Sequence, residues 1–142
     1  MKEVISFNIP GNPKALKRHR SFQKGNFKGT YDPSKNDKAD FLAMALNHKP
    51  ATPYDEPLYV SLVFNFPRPK SHYRTGKYSG ILKPSAPNYH TSTPDADNLA
   101  KFICDALNGI FWKDDSRICM LDIAKKYEES PSVDVSILTI ID

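Results

Sequence analysis

An α+β fold is predicted, a two-layer domain in which two main helices pack on a mixed sheet of about four strands. Three observations carry this. From Leu58 to Phe66 apolar side chains recur at every second position, the period of a half-covered strand. From Leu99 to Ile110 they recur at three- and four-residue intervals, the period of one helical stripe. Around these segments the elements follow in the order strand, helix, strand, helix, strand, strand, with no internal repeat or low-complexity tract.

A length of 142 residues at 39% hydrophobic content allows one compact domain, 1–142, with a modest core. No apolar run approaches the ~20 residues that span a bilayer, so no membrane partner is expected. Met1-Lys2-Glu3 leads into an alternating strand rather than a signal peptide, which points to the cytoplasm. Cys104 and Cys119 have no metal-ligand spacing and are expected as reduced thiols.

The first strand alternates Val4, Ser6 and Asn8 with Ile5, Phe7 and Ile9, and ends at Pro10-Gly11. Asn12 to Pro33 reads as a long loop in which Phe22, Phe27 and Tyr31 are interleaved with Lys14, Lys17, Arg18, Arg20, Lys24 and Lys28. It is too polar for core, and rings beside cations can stack on exposed bases. Ser34 to His48 is the first expected helix, capped by Ser34, with Ala39, Leu42, Ala43 and Leu46 as its stripe. Leu58 to Phe66 then puts Leu58, Val60, Leu62, Phe64 and Phe66 on one face of a strand.

Pro67 to Thr93 is a second long loop, rich in proline, tyrosine and lysine. His72 and His90 lie in it without paired ligand spacing and read as phosphate contacts or surface residues. In the second helix Leu99, Phe102, Ile103, Ala106, Leu107 and Ile110 form the stripe. Asp97 or Asn98 is its expected cap and Asn108-Gly109 its left-handed stop. Arg117 to Tyr127 and Val133 to Ile141 are the last two strands.

The formal charge is +4, from 20 basic and 16 acidic residues, and its distribution says more than its sum. Val4 to Tyr31 and Pro57 to Pro94 contain no acidic residue, whereas Asp95, Asp97, Asp105, Asp114, Asp115 and Asp122 crowd the stretch that follows. Basic segments around an acidic knot suit a polyanion held over a metal site.

Asp95 and Asp97 sit in alternate positions, so in an extended approach to the helix they point the same way. If Phe111 and Trp112 turn the chain back toward the helix start, Asp114 and Asp115 arrive beside them. Two carboxylates about 4 Å apart repel by up to ~4 kcal/mol at an effective dielectric near 20, so a third needs a cation. Oxygen-only ligands favour Mg²⁺ or Mn²⁺ over zinc. The simpler possibility is that Asp97 is only a cap and Asp114-Asp115 only a turn.

The string Pro94-Asp95-Ala96-Asp97-Asn98-Leu99-Ala100-Lys101, followed by Asp105-Ala106-Leu107-Asn108-Gly109 and Trp112-Lys113-Asp114-Asp115, resembles the RusA family of Holliday junction resolvases. That family reads D-x-D-N-x-x-K, then D-A-L, then D-D before a hydrophobic strand. The resemblance implies metal binding and catalysis at Asp95, Asp97 and Asp115, with Lys101 as the functionally important lysine. Asp105 and Asp114 also match the family's letters but fit supporting or structural roles better, and Asn98 is a candidate for a supporting role behind the ligands. The stretch from Lys14 to Arg20 is similar to the family's basic segment after the first strand, so Lys14, Lys17, Arg18 and Arg20 are expected DNA contacts. Arg74 and Lys77 are expected to join them from the second loop. The implied partners are a four-way junction and a second copy of the chain. Two other readings stay open: a metal nuclease for flaps or forks, and a DNA-binding module without catalysis.

Overall fold

The computed structural model describes residues 2–140. The chain runs β1 (Lys2–Pro10), β2 (Arg20–Lys24), β3 (Phe27–Tyr31), α1 (Lys35–Ala45), β4 (Leu58–Pro67), α2 (Ala96–Leu107), β5 (Ile118–Glu128) and β6 (Ser132–Thr139). Four strands form a mixed sheet in the order β1-β6-β4-β5, with β6 antiparallel to both neighbours and β5 parallel to β4. A parallel step cannot be closed by a tight turn, and α2 lies in the crossover that makes it.

Alternation decides which face is covered. Leu58, Val60, Leu62, Phe64 and Phe66 of β4 are buried together with Phe7 and Ile9 of β1 and Val133, Val135 and Ile137 of β6. Against them pack Leu99, Phe102, Ile103, Ala106 and Leu107, the expected stripe of α2, while Ile110 is half-buried beyond the helix end. The other face of the sheet is polar. There Asp134 accepts hydrogen bonds from Asn8 (2.7 Å) and from the buried Asn65 (3.0 Å), so the buried amide is satisfied.

Four expectations are corrected. The first long loop contains the β2–β3 hairpin, closed by Gly25 and Asn26 with Gly25 at φ +61°. The buried stripe of α1 is Phe41 and Ala45, with the expected Leu42 partly buried against the core beside them, whereas Ala39 and Ala43 are exposed. Phe41 meets Phe102 of α2 edge-on at 6.1 Å, and this aromatic contact rather than the alanines sets the rotation of α1. Leu46 is exposed and belongs to a short 3₁₀ turn, Leu46–His48. Ser34 flanks α1 without making a side-chain cap: its Oγ accepts the Lys17 N–H at 2.9 Å. In α2 the flanking residue is Asp95, and Asp97 and Asn98 lie inside the helix. α2 stops at an extended Asn108, and the left-handed Gly109, φ +80°, falls in the turn that follows, donating to Trp112 O at 2.8 Å. Ile141, the expected end of the last strand, lies outside the described residues.

The second loop is ordered by its own bonds. Lys83 donates to His72 O at 2.9 Å and Arg74 to Ile81 O at 2.8 Å. His90 stacks on Phe66 at 3.9 Å and His72 meets Tyr127 edge-on at 4.6 Å, so both histidines anchor the loop rather than lying on the open surface. Among the described residues no helix is long and apolar enough to cross a membrane.

Candidate active site

The start of α2 is held from below by β5. Lys125 donates to the carbonyls of Ser92 (2.6 Å) and Pro94 (2.8 Å), fixing the approach to Asp95. Asp95 accepts the Leu99 N–H on its backbone carbonyl, and its exposed carboxylate makes no capping bond. Asp97, in the first turn, lies 3.9 Å from Lys101 Nζ, one turn on, and both side chains are largely exposed. A pair so open to solvent contributes little to stability.

Asp115 arrives by a different route. The chain leaves α2 through Phe111 and Trp112, both fully buried, and Tyr54 clamps this turn by donating to Phe111 O (3.0 Å) and accepting from Lys113 N (2.8 Å). Arg117 donates to Asp55 at 2.7 Å and fastens the next turn to the segment before β4. Within that turn the Asp114 carboxylate accepts the Ser116 N–H at 3.0 Å, and the Ser116 side chain first and this backbone bond second lower its carboxyl from the ordinary value. Asp115 is half-buried and accepts the indole N–H of Trp112 at 2.7 Å. Burial pushes its carboxyl above the ordinary value, the Trp112 bond opposes that rise, and the charges of Asp105 and Asp114 add to it.

Asp97, Lys101 and Asp115 line one groove of about 370 Å³ between α2 and β5, floored by Ala100, Ile118, Leu121 and Ile123 and edged by Cys104 and Cys119. Asp95 is not among the lining residues. Asp115 stands beside Cys104, whose thiol is pushed up to about 12 by burial first and then by Asp115 and Asp105. The chain turns back onto α2, where Asp115 lines the same groove as Asp97 and Lys101. Among the described residues no three His, Cys, Asp or Glu side chains are grouped to share a metal ion.

The donor set nonetheless suits a hard divalent cation. Asp115 pairs with no cation among the described residues, and its Oδ2 has no protein donor. Asp97 has only the exposed Lys101 as counter-charge. Unbalanced carboxylate oxygens of this kind fit Mg²⁺ or Mn²⁺ better than a softer metal. Asp105 is partly balanced by Lys38 at 3.7 Å.

The basic segment lies against this helix. Leu16 N–H donates to Asn98 O at 3.0 Å, which brings Lys17, Arg18 and Arg20 beside the first turn of α2 with their side chains exposed. Lys14 instead pairs with Asp37 of α1 at 3.0 Å. Arg74 and Lys77 are exposed on the second loop, with Lys77 over the Tyr78 ring at 5.2 Å. Lys125 and Asp55 are positioning residues that sequence reasoning missed.

The α+β fold thus carries a carboxylate groove, with a cationic segment tied to the helix that lines it. The comparisons name the class further. The family model for endodeoxyribonuclease RusA matches residues 10–138, and the chain belongs to that family. It is also 32% identical over 142 residues to Uncharacterized protein YqaN of Bacillus subtilis (strain 168), covering 95% of this chain and 96% of the relative.

Proposed function

We propose that this endodeoxyribonuclease-family chain resolves Holliday junctions by paired, symmetric, metal-dependent nicks, working as a homodimer in the cytoplasm during DNA recombination and repair. The observation that carries the proposal is the placing of Asp97, Lys101 and Asp115 in one groove of a RusA-family fold, beside the Leu16–Asn98 bond that brings the basic segment to it.

Asp95, Asp97 and Asp115 would hold Mg²⁺ or Mn²⁺. When bound, that cation neutralises charge on phosphate oxygens and acidifies a water for attack on phosphorus. The rest is the work of the chain. Lys17, Arg18 and Arg20 draw the phosphate backbone to the edge of the groove. Lys101 adds a fixed positive charge next to Asp97, where negative charge grows on the phosphoryl group in the transition state. Trp112 fixes Asp115 by donating to Oδ1, so that Asp115 would be held in place as a ligand. Shape and backbone contact, rather than a base code, select the junction.

Two strands must be cut and each chain carries one groove, so two copies act together. The open end of β5 is the proposed seam: Met120 is 48% and Leu121 43% exposed on an edge strand, and only its far end is bridged, by Tyr89 to Lys126.

The test is a substrate panel of four-way junction, flap, fork and plain duplex at one salt concentration, with Mg²⁺ or with a chelator. Paired nicks in the four-way junction alone, lost on chelation, are expected. Preference for a flap or fork would move the substrate to another branched DNA, and binding without strand breaks would leave a non-catalytic module.

A further inference from the structure

The β2–β3 hairpin is exposed along almost its whole length, and only Gly29 is half-buried. Its register pairs Arg20 with Tyr31, Phe22 with Gly29 and Lys24 with Phe27. Side chains alternate along a strand and directly opposed residues share a face, so Arg20, Phe22, Lys24, Phe27 and Tyr31 all stand on one side. Ser21, Gln23, Lys28 and Thr30 occupy the other. Phe22 lies 5.9 Å from Phe27 and 6.3 Å from Tyr31, ring centre to ring centre. Packing against one another does not hide these rings: Phe22 is 43%, Phe27 62% and Tyr31 47% exposed.

Gly29 is part of the arrangement. A Cβ at this position would stand 2.8 Å from Phe22 Cζ and 3.0 Å from Phe27 Cε1, so the two rings lean into space that any other residue would fill. Glycine weakens a strand interior, and here it marks the place where the rings lie low over the backbone with their outer surfaces in solvent.

Both ends of the hairpin are tied to the helices, one to the first turn of α2 and both to the start of α1. Just before it, Leu16 is bonded to Asn98 and Lys17 to Ser34; just after it, Asp32 pairs with Lys38 at 2.6 Å. The aromatic face is therefore carried on an arm rooted beside the first turn of α2.

We propose that this face is a stacking surface for unpaired nucleobases, and that it engages bases exposed at the branch point of the DNA bound in the groove. The branch-point clause rests on the nuclease function proposed above; the stacking itself does not. Charge selects the occupant. Arg20 and Lys24 flank the rings on their own face, Lys28 lies behind, Lys17 and Arg18 precede them, and no acidic residue occurs from Val4 to Tyr31. A single strand offers ring faces and phosphates together, and the bases of an intact duplex do not present their faces. A neutral apolar protein partner would leave these cations unmatched.

The test uses the full chain in chelator-containing buffer, so that nothing is cut. Fluorescence anisotropy follows the binding of labelled oligothymidylate and of a plain duplex. Phe27→Ala should weaken oligothymidylate binding about tenfold, the loss of one stacked base, and leave duplex binding unchanged. Phe27→Leu, which keeps apolar bulk without a ring face, should lose as much, and Phe27→Trp should restore it. Lys24→Ala should weaken both ligands and lower the single-strand salt slope by ~0.7. Gly29→Ala, which displaces Phe22, should lie between wild type and Phe27→Ala.

Wild-type affinity in Phe27→Ala, full affinity in Phe27→Leu, or equal losses on single strand and duplex would each overturn the proposal. Phe27 is the most exposed of the three rings, and the tryptophan variant preserves its packing, so misfolding cannot imitate the expected pattern. The two proposals fail separately. Cleavage of the junction with no stacking signal removes the platform alone, and a stacking signal with no cleavage of any branched DNA removes the nuclease function alone.

Discussion

Trp112, which solvent does not reach, donates its indole N–H to Asp115 Oδ1 at 2.7 Å. The bond joins a fully buried core residue to a carboxylate of the groove. It is also the force that pulls the Asp115 carboxyl down against burial and against the charges of Asp105 and Asp114. Trp112→Phe keeps most of the apolar volume and removes the donor. The acid limb of the cleavage pH profile should then move to higher pH, and stability should fall by about 2 kcal/mol, the scale of a hydrogen bond to a charged group. A profile that does not move would detach Asp115 from the reaction.

Asp115 should also cost stability. Its folded-state carboxyl is raised above the ordinary value, so the native chain holds the proton more tightly than the unfolded chain does. The contribution is favourable below the ordinary carboxylate value and is lost as pH rises through the raised one. Asp115→Asn should therefore melt a few degrees above wild type at neutral pH and match it in acid. Thermal melts at the two pH values check this, and an equal difference at both would point to packing instead.

Lys125 acts on the groove through backbone carbonyls. Lys125→Met should free the Ser92–Pro94 segment that leads into Asp95. Cleavage should drop at least about tenfold while junction affinity changes little, because an interaction that orients the catalytic groups affects turnover more than binding. Single-turnover rates beside binding isotherms separate the two.

His90 gives the fold an acid limit. Burial lowers its pKa, the charge of Lys125 lowers it further, and its Nδ1 has no partner. Between the ordinary histidine value and the lower folded one the unfolded chain binds the extra proton, so stability declines as pH falls through that window. His90→Phe should flatten this decline in urea titrations taken across the mildly acidic range, while keeping a stacked ring on Phe66.

The elements legible in the sequence were those that bury one face along a regular period. β4 and α2 do so, and their buried residues are the ones that periodicity picks out. α1 is less legible because it meets the core through Phe41 and Ala45, with Leu42 only partly buried beside them, while bonds such as Lys17–Ser34 and Asp32–Lys38 fix its start. The hairpin left a signal in Gly25-Asn26, a two-residue turn between short runs, but dense cations obscured it. In the groove, the Asp97–Lys101 pair follows from helix spacing. The neighbours of Asp115 do not, because they depend on where Arg117 ties the turn to Asp55. Lys125 was invisible for the same reason: it works on carbonyls remote in sequence.

The most direct measurement is strand cleavage of a synthetic four-way junction in Mg²⁺ by wild type and by Asp95→Asn, Asp97→Asn and Asp115→Asn, with junction binding followed in parallel. Each variant keeps the shape of the side chain and removes a negative ligand. Wild type should make paired nicks, each variant should cut at least about a hundredfold more slowly, and all four should bind the junction with similar affinity. Cleavage at the wild-type rate by the Asp97→Asn or Asp115→Asn protein would contradict the assignment of the α2–β5 groove as the catalytic centre.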